Sequence, residues 1–117
     1  MKCPDRGELL RIFIGDSDMH EGRPLYEAIV LRARECHLAG ATVFRGSMGF
    51  GQNSIMHSSK ILELSSDLPV VIEIIDTEQR IRDFVPVVEA MVKDGLVTLE
   101  AVEVIKYSSR TNGKENE

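Results

Sequence analysis

The sequence predicts an α+β fold of the ferredoxin-like type, an antiparallel sheet of four strands with two helices packed on one face. Strand-like and helix-like segments follow one another in the order βαββαβ, and each helix-like segment has a single apolar stripe. No linker, repeat or low-complexity tract divides the chain. We therefore expect residues 1–117 to form one domain, with a tail at 108–117 that has no apolar residue and is expected to be disordered.

The first helix is predicted over residues 24–39. Pro24 suits a first helical turn, and Gly40 is expected to end the helix. The apolar stripe consists of Leu25, Ala28, Ile29, Ala33 and Cys36. Because Cys36 belongs to this stripe, we expect its thiol to be packed in the core.

The second helix is predicted after residue 76, where Asp76 or Thr77 can cap it. Its apolar stripe consists of Ile81, Phe84, Val85, Val88, Met91 and Val92. Pro86 lies inside this stripe and removes one backbone hydrogen bond. Either the helix bends at Pro86, which we favour, or its regular part begins near Asp83.

Strands are predicted at residues 8–15, 41–48, 70–75 and 96–107, with a turn at 93–95. Alternation assigns Leu10, Ile12, Ile14, Phe44, Val70, Ile72, Ile74, Val102 and Val104 to the face under the helices. The other face, called the open face below, is predicted to carry Leu9, Phe13, Val43, Val71, Ile75, Leu99 and Ile105. Monomers rarely expose so large an apolar patch, so we expect an oligomer that covers it.

Four charged residues are predicted on the same open face, one in each strand. In the strand order 4-1-3-2 that is usual for this fold, they are Glu103, Arg11, Glu73 and Arg45, so that their signs alternate. Neighbouring opposite charges would lower the cost of covering the face. Four unrelated surface charges are the alternative interpretation.

Composition excludes several functions. The net charge of −5 disfavours a nucleic-acid-binding surface, and no apolar stretch is long enough to insert into a membrane. Two cysteines, Cys3 and Cys36, are too few for a disulfide framework, which favours a cytoplasmic location. No Ser/His/Asp, Cys/His or paired-carboxylate set is present at a credible site, so we predict no catalytic residues and no enzyme activity.

Three glycines, Gly46, Gly49 and Gly51, lie close together in residues 45–52, called the glycine segment below. Backbone N–H groups of such a segment can converge on an oxyanion, although the glycines could equally serve a turn or a bulge. The segment is neither a Walker loop nor a dinucleotide fingerprint. Residues 51–67, which follow, form a long connection of the kind that often has a function.

The chain resembles P-II signal-transduction proteins in GATV at 40–43, GFGQ at 49–52, LPVVIEI at 68–74 and VIK at 104–106. It resembles more closely a P-II-like family, domain of unknown function 190. That likeness rests on LRIFIG at 10–15, PLYEAI at 24–29, GATV at 40–43 and DLPVV at 67–71, and it extends over nearly all of residues 9–107.

The resemblance implies a homotrimer with the open faces turned inward and an adenine nucleotide, ATP, ADP or AMP, between neighbouring subunits. The nucleotide-binding residues that it implies are Gly49, Phe50, Gly51, Gln52, Glu73 and Lys106. Nucleotide occupancy would change the central loop, residues 51–67, and a partner protein such as a transporter or an enzyme would read that change. Between the second helix and the last strand, only residues 93–95 remain of the family's phosphate loop. Some P-II proteins carry a tyrosine in this loop that is uridylylated. Residues 51–60 of this chain contain no tyrosine, so that modification is not expected.

Two other functions remain open. A metal-responsive trimer of the same fold would use Asp16, Asp18, His20 or His57, although residues 15–23 lack the glycine and glutamate of an EF-hand and are better interpreted as a solvated turn. A small acylphosphatase-like enzyme would need an arginine such as Arg23 at a phosphate, but the surrounding loop does not resemble that family's.

Overall fold

The computed structural model of the chain describes residues 6–49, 57–58 and 68–108. Its elements in chain order are β1 (Arg6–Gly15), β2 (Met19–His20), β3 (Arg23–Pro24), α1 (Leu25–Glu35), β4 (Thr42–Arg45), β5 (Met48–Gly49), β6 (His57–Ser58), β7 (Pro69–Asp76), α2 (Glu78–Met91) and β8 (Leu96–Glu103). The main sheet has the order β4-β7-β1-β8, and its neighbouring strands are antiparallel. The predicted fold and the predicted strand order, 4-1-3-2, are confirmed.

The core lies between this sheet and the two helices. Alternate residues of β1 and β7 face the helices and are almost completely buried, as are the inward residues of α1 and α2. The sheet contributes Leu10, Ile12, Ile14, Val70, Ile72 and Ile74, and the helices contribute Leu25, Ile29, Ala33, Ile81, Phe84 and Val88. The predicted faces of the two central strands are therefore correct.

The first helix ends four residues before the predicted position. The N–H of Leu38 bonds the carbonyl of Ala33, and the N–H of His37 bonds the carbonyl of Arg34, which together form a Schellman motif. His37 takes the left-handed conformation there, with φ 62°, so Gly40 is not needed to end the helix. Cys36 is exposed at this end, and its predicted burial is wrong because the helix stops before the apolar stripe reaches it.

The second helix begins where the sequence predicts it and continues through Pro86. The hydroxyl of Thr77 accepts the N–H of Arg80 as an N-cap. The alternative in which the regular part begins near Asp83 is wrong. The fully buried carboxylate of Asp76 accepts hydrogen bonds from the N–H groups of Ala39 and Thr77, which joins the end of α1 to the start of α2.

The connection from β1 to α1 is a small hairpin, β2 with β3, rather than a simple turn. Positive φ values at Glu21 (49°) and Gly22 (86°) form its tip, as a two-residue hairpin turn requires. Asp18 stabilises the start of the connection because its carboxylate accepts the N–H of Gly15 at 3.0 Å.

The two outer strands present the opposite faces to those predicted. Val43 is paired with Ile72 and packs on the core, whereas Phe44 is paired with Val71 on the open face. Likewise Leu99, paired with Leu10, packs on the core, and Val102, paired with Gly7, does not. Both strands have apolar residues at odd and even positions, so alternation alone cannot choose between registers that differ by one residue.

The inverted faces also break the predicted row of four charges. Arg11 and Glu73 are paired in the ladder and their side chains bond at 2.9 Å, as predicted. Glu103 and Arg45 instead have the parity of the helix-covered face, opposite Arg6 and Val70 respectively. Glu100 supplies the carboxylate that Glu103 was expected to supply, bonding Arg11 at 3.2 Å.

Two strands are shorter than predicted. The strand expected over residues 41–48 is divided into β4 and β5, with a break at residues 46–47, and β8 ends at Glu103 instead of residue 107. Ser108 has no regular secondary structure, and the rest of the predicted tail lies outside the described residues. Within the described part of the chain, no helix has the length and apolarity needed to cross a membrane.

Candidate ligand-binding site

The glycine segment packs closely on the start of β7. The N–H of Gly46 donates to the carbonyl of Pro69 at 2.7 Å. A Cβ added at Gly46 would lie 2.8 Å from Cγ of Pro69, and one added at Gly49 would lie 3.0 Å from the same atom. These two glycines therefore allow the close approach to Pro69, and the N–H of Gly46 is already used within the protein.

A two-residue ladder joins the strand just before the central loop to a strand within the loop. Met48 and Gly49 of β5 are paired with Ser58 and His57 of β6. Of the predicted nucleotide-binding residues, Gly49 lies in this small ladder. Phe50, Gly51 and Gln52 lie outside the described residues, as does most of the connection at 51–67.

Arg45, the residue before Gly46, is held by two elements that the sequence did not connect with it. Its Nη1 bonds Oδ1 of Asp16 at 2.5 Å, and its Nη2 bonds the hydroxyl of Tyr26 at 2.7 Å. The guanidinium lies over the tyrosine ring, 5.0 Å from its centre. Burial lowers the pKa of Arg45, but the charge of Asp16 and the hydrogen bonds to Asp16 and Tyr26 outweigh it, so the net shift is upward.

Glu73 lies near the middle of β7 on the open face, paired with Thr42 of the edge strand and with Arg11 of β1. Its carboxylate bonds Nε of Arg11, and this hydrogen bond is the main reason that the pKa of Arg11 is raised. The predicted binding residue Glu73 is thus already engaged by a cation of its own chain.

Lys106 is exposed and follows the end of β8. Glu103 at that end is paired with Arg6, the first residue of β1, whereas Pro69, against which Gly49 packs, is paired with Gly15, the last residue of β1. At about 3.3 Å per residue, the two ends of β1 are roughly 30 Å apart. Within one chain, therefore, the structure does not bring Lys106 and the glycine segment together.

The turn at residues 93–95 lies at the same end of the sheet as the glycine segment, because Leu96, which follows it, is paired with Phe13 near the end of β1. A Cβ added at Gly95 would lie 2.6 Å from the carbonyl oxygen of Phe13, so the turn is packed directly on β1.

Among the described residues, those of the metal-responsive hypothesis are not grouped as a site; the side chain of His57 lies outside the described part of the structure. Asp16 bonds Arg45, Asp18 bonds the N–H of Gly15, and no three His, Cys, Asp or Glu side chains in the described ranges are grouped as metal ligands. Arg23 lines an open cleft of about 690 Å³ on the helix side, whose floor includes Ala28, Leu31 and Val87.

Comparisons with known proteins identify the family. The model of domain of unknown function 190 (DUF190), described as an uncharacterized ACR, matches residues 7–104. A UPF0166 protein of Aquifex aeolicus is 45% identical over 98 residues, covering 84% of this chain and 92% of its own length. A UPF0166 protein of Methanocaldococcus jannaschii is 30% identical over 102 residues, covering 86% and 94%.

The fold is similar to that of CPII, a nitrogen regulatory PII-like protein from Thiomonas intermedia K12. The structure of CPII bound to ADP, AMP and bicarbonate matches with a TM-score of 0.59 at 18% identity, covering 86% of this chain and 90% of that chain. A second structure of CPII, bound to ADP and bicarbonate, matches with a TM-score of 0.57 at 19% identity and the same coverage.

Proposed function

This chain belongs to the DUF190 family, and from that premise we propose that it is a non-catalytic, P-II-like regulator. In this proposal the protein is a cytoplasmic homotrimer that binds an adenine nucleotide in the clefts between its subunits. The nucleotide changes the state of the central loop at residues 51–67, and a partner protein, a transporter or an enzyme, reads that state.

The open face is the observation that carries the proposal. Four large apolar side chains lie exposed there in the single chain, and they are contributed by all four strands of the main sheet. They are Phe13 (36% exposed), Phe44 (51%), Ile75 (41%) and Leu96 (56%). Large apolar side chains exposed on all four strands of one sheet face indicate an interface, and the half-buried Arg11–Glu73 pair between them suits a surface that is covered.

The distance between the predicted ligand-binding residues supports a site shared by two subunits. Because Lys106 and Gly49 lie at opposite ends of one sheet, a ligand that contacts both must take them from different copies of the chain. The structural neighbour CPII has the same fold and was determined with ADP and AMP, which makes adenine nucleotides the first ligands to test.

Isothermal titration with ATP, ADP and AMP, with and without bicarbonate, tests the proposal directly. We expect saturable binding of at least one nucleotide by a trimer whose mass is confirmed by light scattering. A protein that binds none of the three, or that remains a single chain at micromolar concentration, would contradict it.

A mixing experiment tests whether the site is shared. Gln52→Ala and Lys106→Gln should each weaken nucleotide binding about tenfold or more, as the loss of a charged or polar contact commonly does. Trimers assembled from a mixture of both variants should recover tight binding at the clefts that receive two intact halves. Arg34→Gln, which removes an exposed cation from α1, is the control and should bind like the unchanged protein.

A further inference from the structure

We propose that Arg45 is the cation that receives the anionic group of the ligand, and that it does so by exchanging its bond with Asp16. The exchange would affect both ends of the central loop, because the residues before and after the loop are hydrogen-bonded next to Arg45 and Asp16. The inference rests on the proposed function, since it takes the phosphoryl group of an adenine nucleotide as the anion.

The first step is that the described backbone of residues 46–49 supplies no positive charge to an anion. The N–H of Gly46 is used by Pro69, and residues 48–49 are paired in a ladder with residues 57–58. A phosphoryl group placed there needs a cation, and Arg45 is the residue immediately before Gly46. Its side chain is 49% exposed and can therefore be approached from solvent.

The second step is that Arg45 can change partners without losing all its contacts. Its two bonds end on different groups, a charged carboxylate at Asp16 and a neutral hydroxyl at Tyr26. A phosphoryl oxygen can replace the carboxylate as a charged acceptor, because arginine binds both in the same planar geometry. Tyr26 would keep the guanidinium on its ring during the exchange.

The third step links Arg45 to the loop. Gly46, the next residue, bonds the carbonyl of Pro69, just beyond the far end of the loop. Asp16 bonds the carbonyl of Leu68, the residue immediately before Pro69, through its own N–H at 2.8 Å. Releasing the Asp16 carboxylate from Arg45 therefore disturbs a connection between the residues that precede and follow the loop, which couples ligand binding to the loop state.

The test compares two ion pairs of the same kind. Arg45→Gln should weaken ADP binding at least tenfold, while Asp16→Asn should strengthen it several-fold because the competing carboxylate is removed. Arg82→Gln is the matched control. Arg82 forms a bidentate pair with Glu8 at 3.0–3.1 Å at the start of β1, the other end of the sheet, and its loss should leave ADP binding unchanged.

Titration with ADP and thermal melting of each variant give the readouts. If the unchanged protein does not bind ADP, ATP or AMP, the proposed function fails. If it binds and Arg45→Gln binds equally well, or Asp16→Asn binds more weakly, the exchange proposed for Arg45 is wrong. Should Arg45→Gln not fold, Asp16→Asn alone decides between these outcomes.

Discussion

The two faces of the main sheet differ in how far their apolar side chains are buried. On the helix-covered face, Ile12, Val70 and Ile72 are completely buried by α1 and α2. On the open face, Phe44 and Leu96 remain more than half exposed, and a network of one arginine and two glutamates occupies the middle. The chain itself covers the first face, whereas the second leaves large apolar side chains in contact with solvent in the single chain.

The largest effect is expected for Ile72→Ala, in the centre of the covered face. Removing this fully buried side chain should lower the free energy of unfolding by about 3 kcal/mol, since the core cannot close around the cavity. Ile75→Ala is the matched control on the same strand and the opposite face. In dilute solution it should cost about 1 kcal/mol or less.

Chemical denaturation at two protein concentrations makes the comparison. If sister chains cover the open face, the cost of Ile75→Ala should grow at the higher concentration, while that of Ile72→Ala stays the same. Equal costs for both variants at every concentration would show that the two faces do not differ in the proposed way.

The next effect is on assembly. Phe44→Glu places a charge on the open face and should convert the oligomer into single chains, because an unpaired carboxylate would be buried in the interface. Light scattering at micromolar concentration measures the mass. Met19→Glu makes the same change at an exposed residue of the β2–β3 hairpin and should leave the mass unchanged. If Phe44→Glu remained an oligomer, the open face would not be the interface between chains.

The smallest effect is expected when the ion pair between Arg11 and Glu100 is removed. In the single chains produced by Phe44→Glu, the further change Glu100→Gln should alter the free energy of unfolding by less than about 0.5 kcal/mol, because the Glu100 carboxylate that pairs with Arg11 is mostly exposed. Denaturation in low and high salt measures it. A loss above about 1 kcal/mol would mean that the pair is already shielded from water in the single chain.

The central strands were predictable from the sequence and the outer strands were not. The inward positions 10, 12 and 14 of β1 and 70, 72 and 74 of β7 are all aliphatic, so only one register buries them together. In β4, Val43 and Phe44 are adjacent and both apolar, and only pairing with β7 decides which of them is buried. In β8, Leu99 and Val102 are also both apolar and lie on opposite faces, so alternation assigned each of them to the wrong face.

The candidate site was predictable in part. The sequence singled out the glycines, of which Gly46 and Gly49 pack on Pro69, but it did not indicate the cluster of Arg45, Asp16 and Tyr26. Once Arg45 has the parity of the covered face, it must find partners near α1, and Tyr26 is in the second position of that helix. The contacts therefore depended on the register of β4, which alternation did not determine.

The hydrogen bond between Gly46 and Pro69 has an evolutionary consequence. It joins the point where the chain leaves β4 to the point where it enters β7. The ladder of β4 and β7 therefore does not depend on the residues between Gly46 and Pro69. The entropic cost of closing this connection grows only slowly with its length, so insertions or deletions in it change the cost little. The length of the connection between Gly46 and Pro69 can therefore change in evolution with little cost to the ladder of β4 and β7.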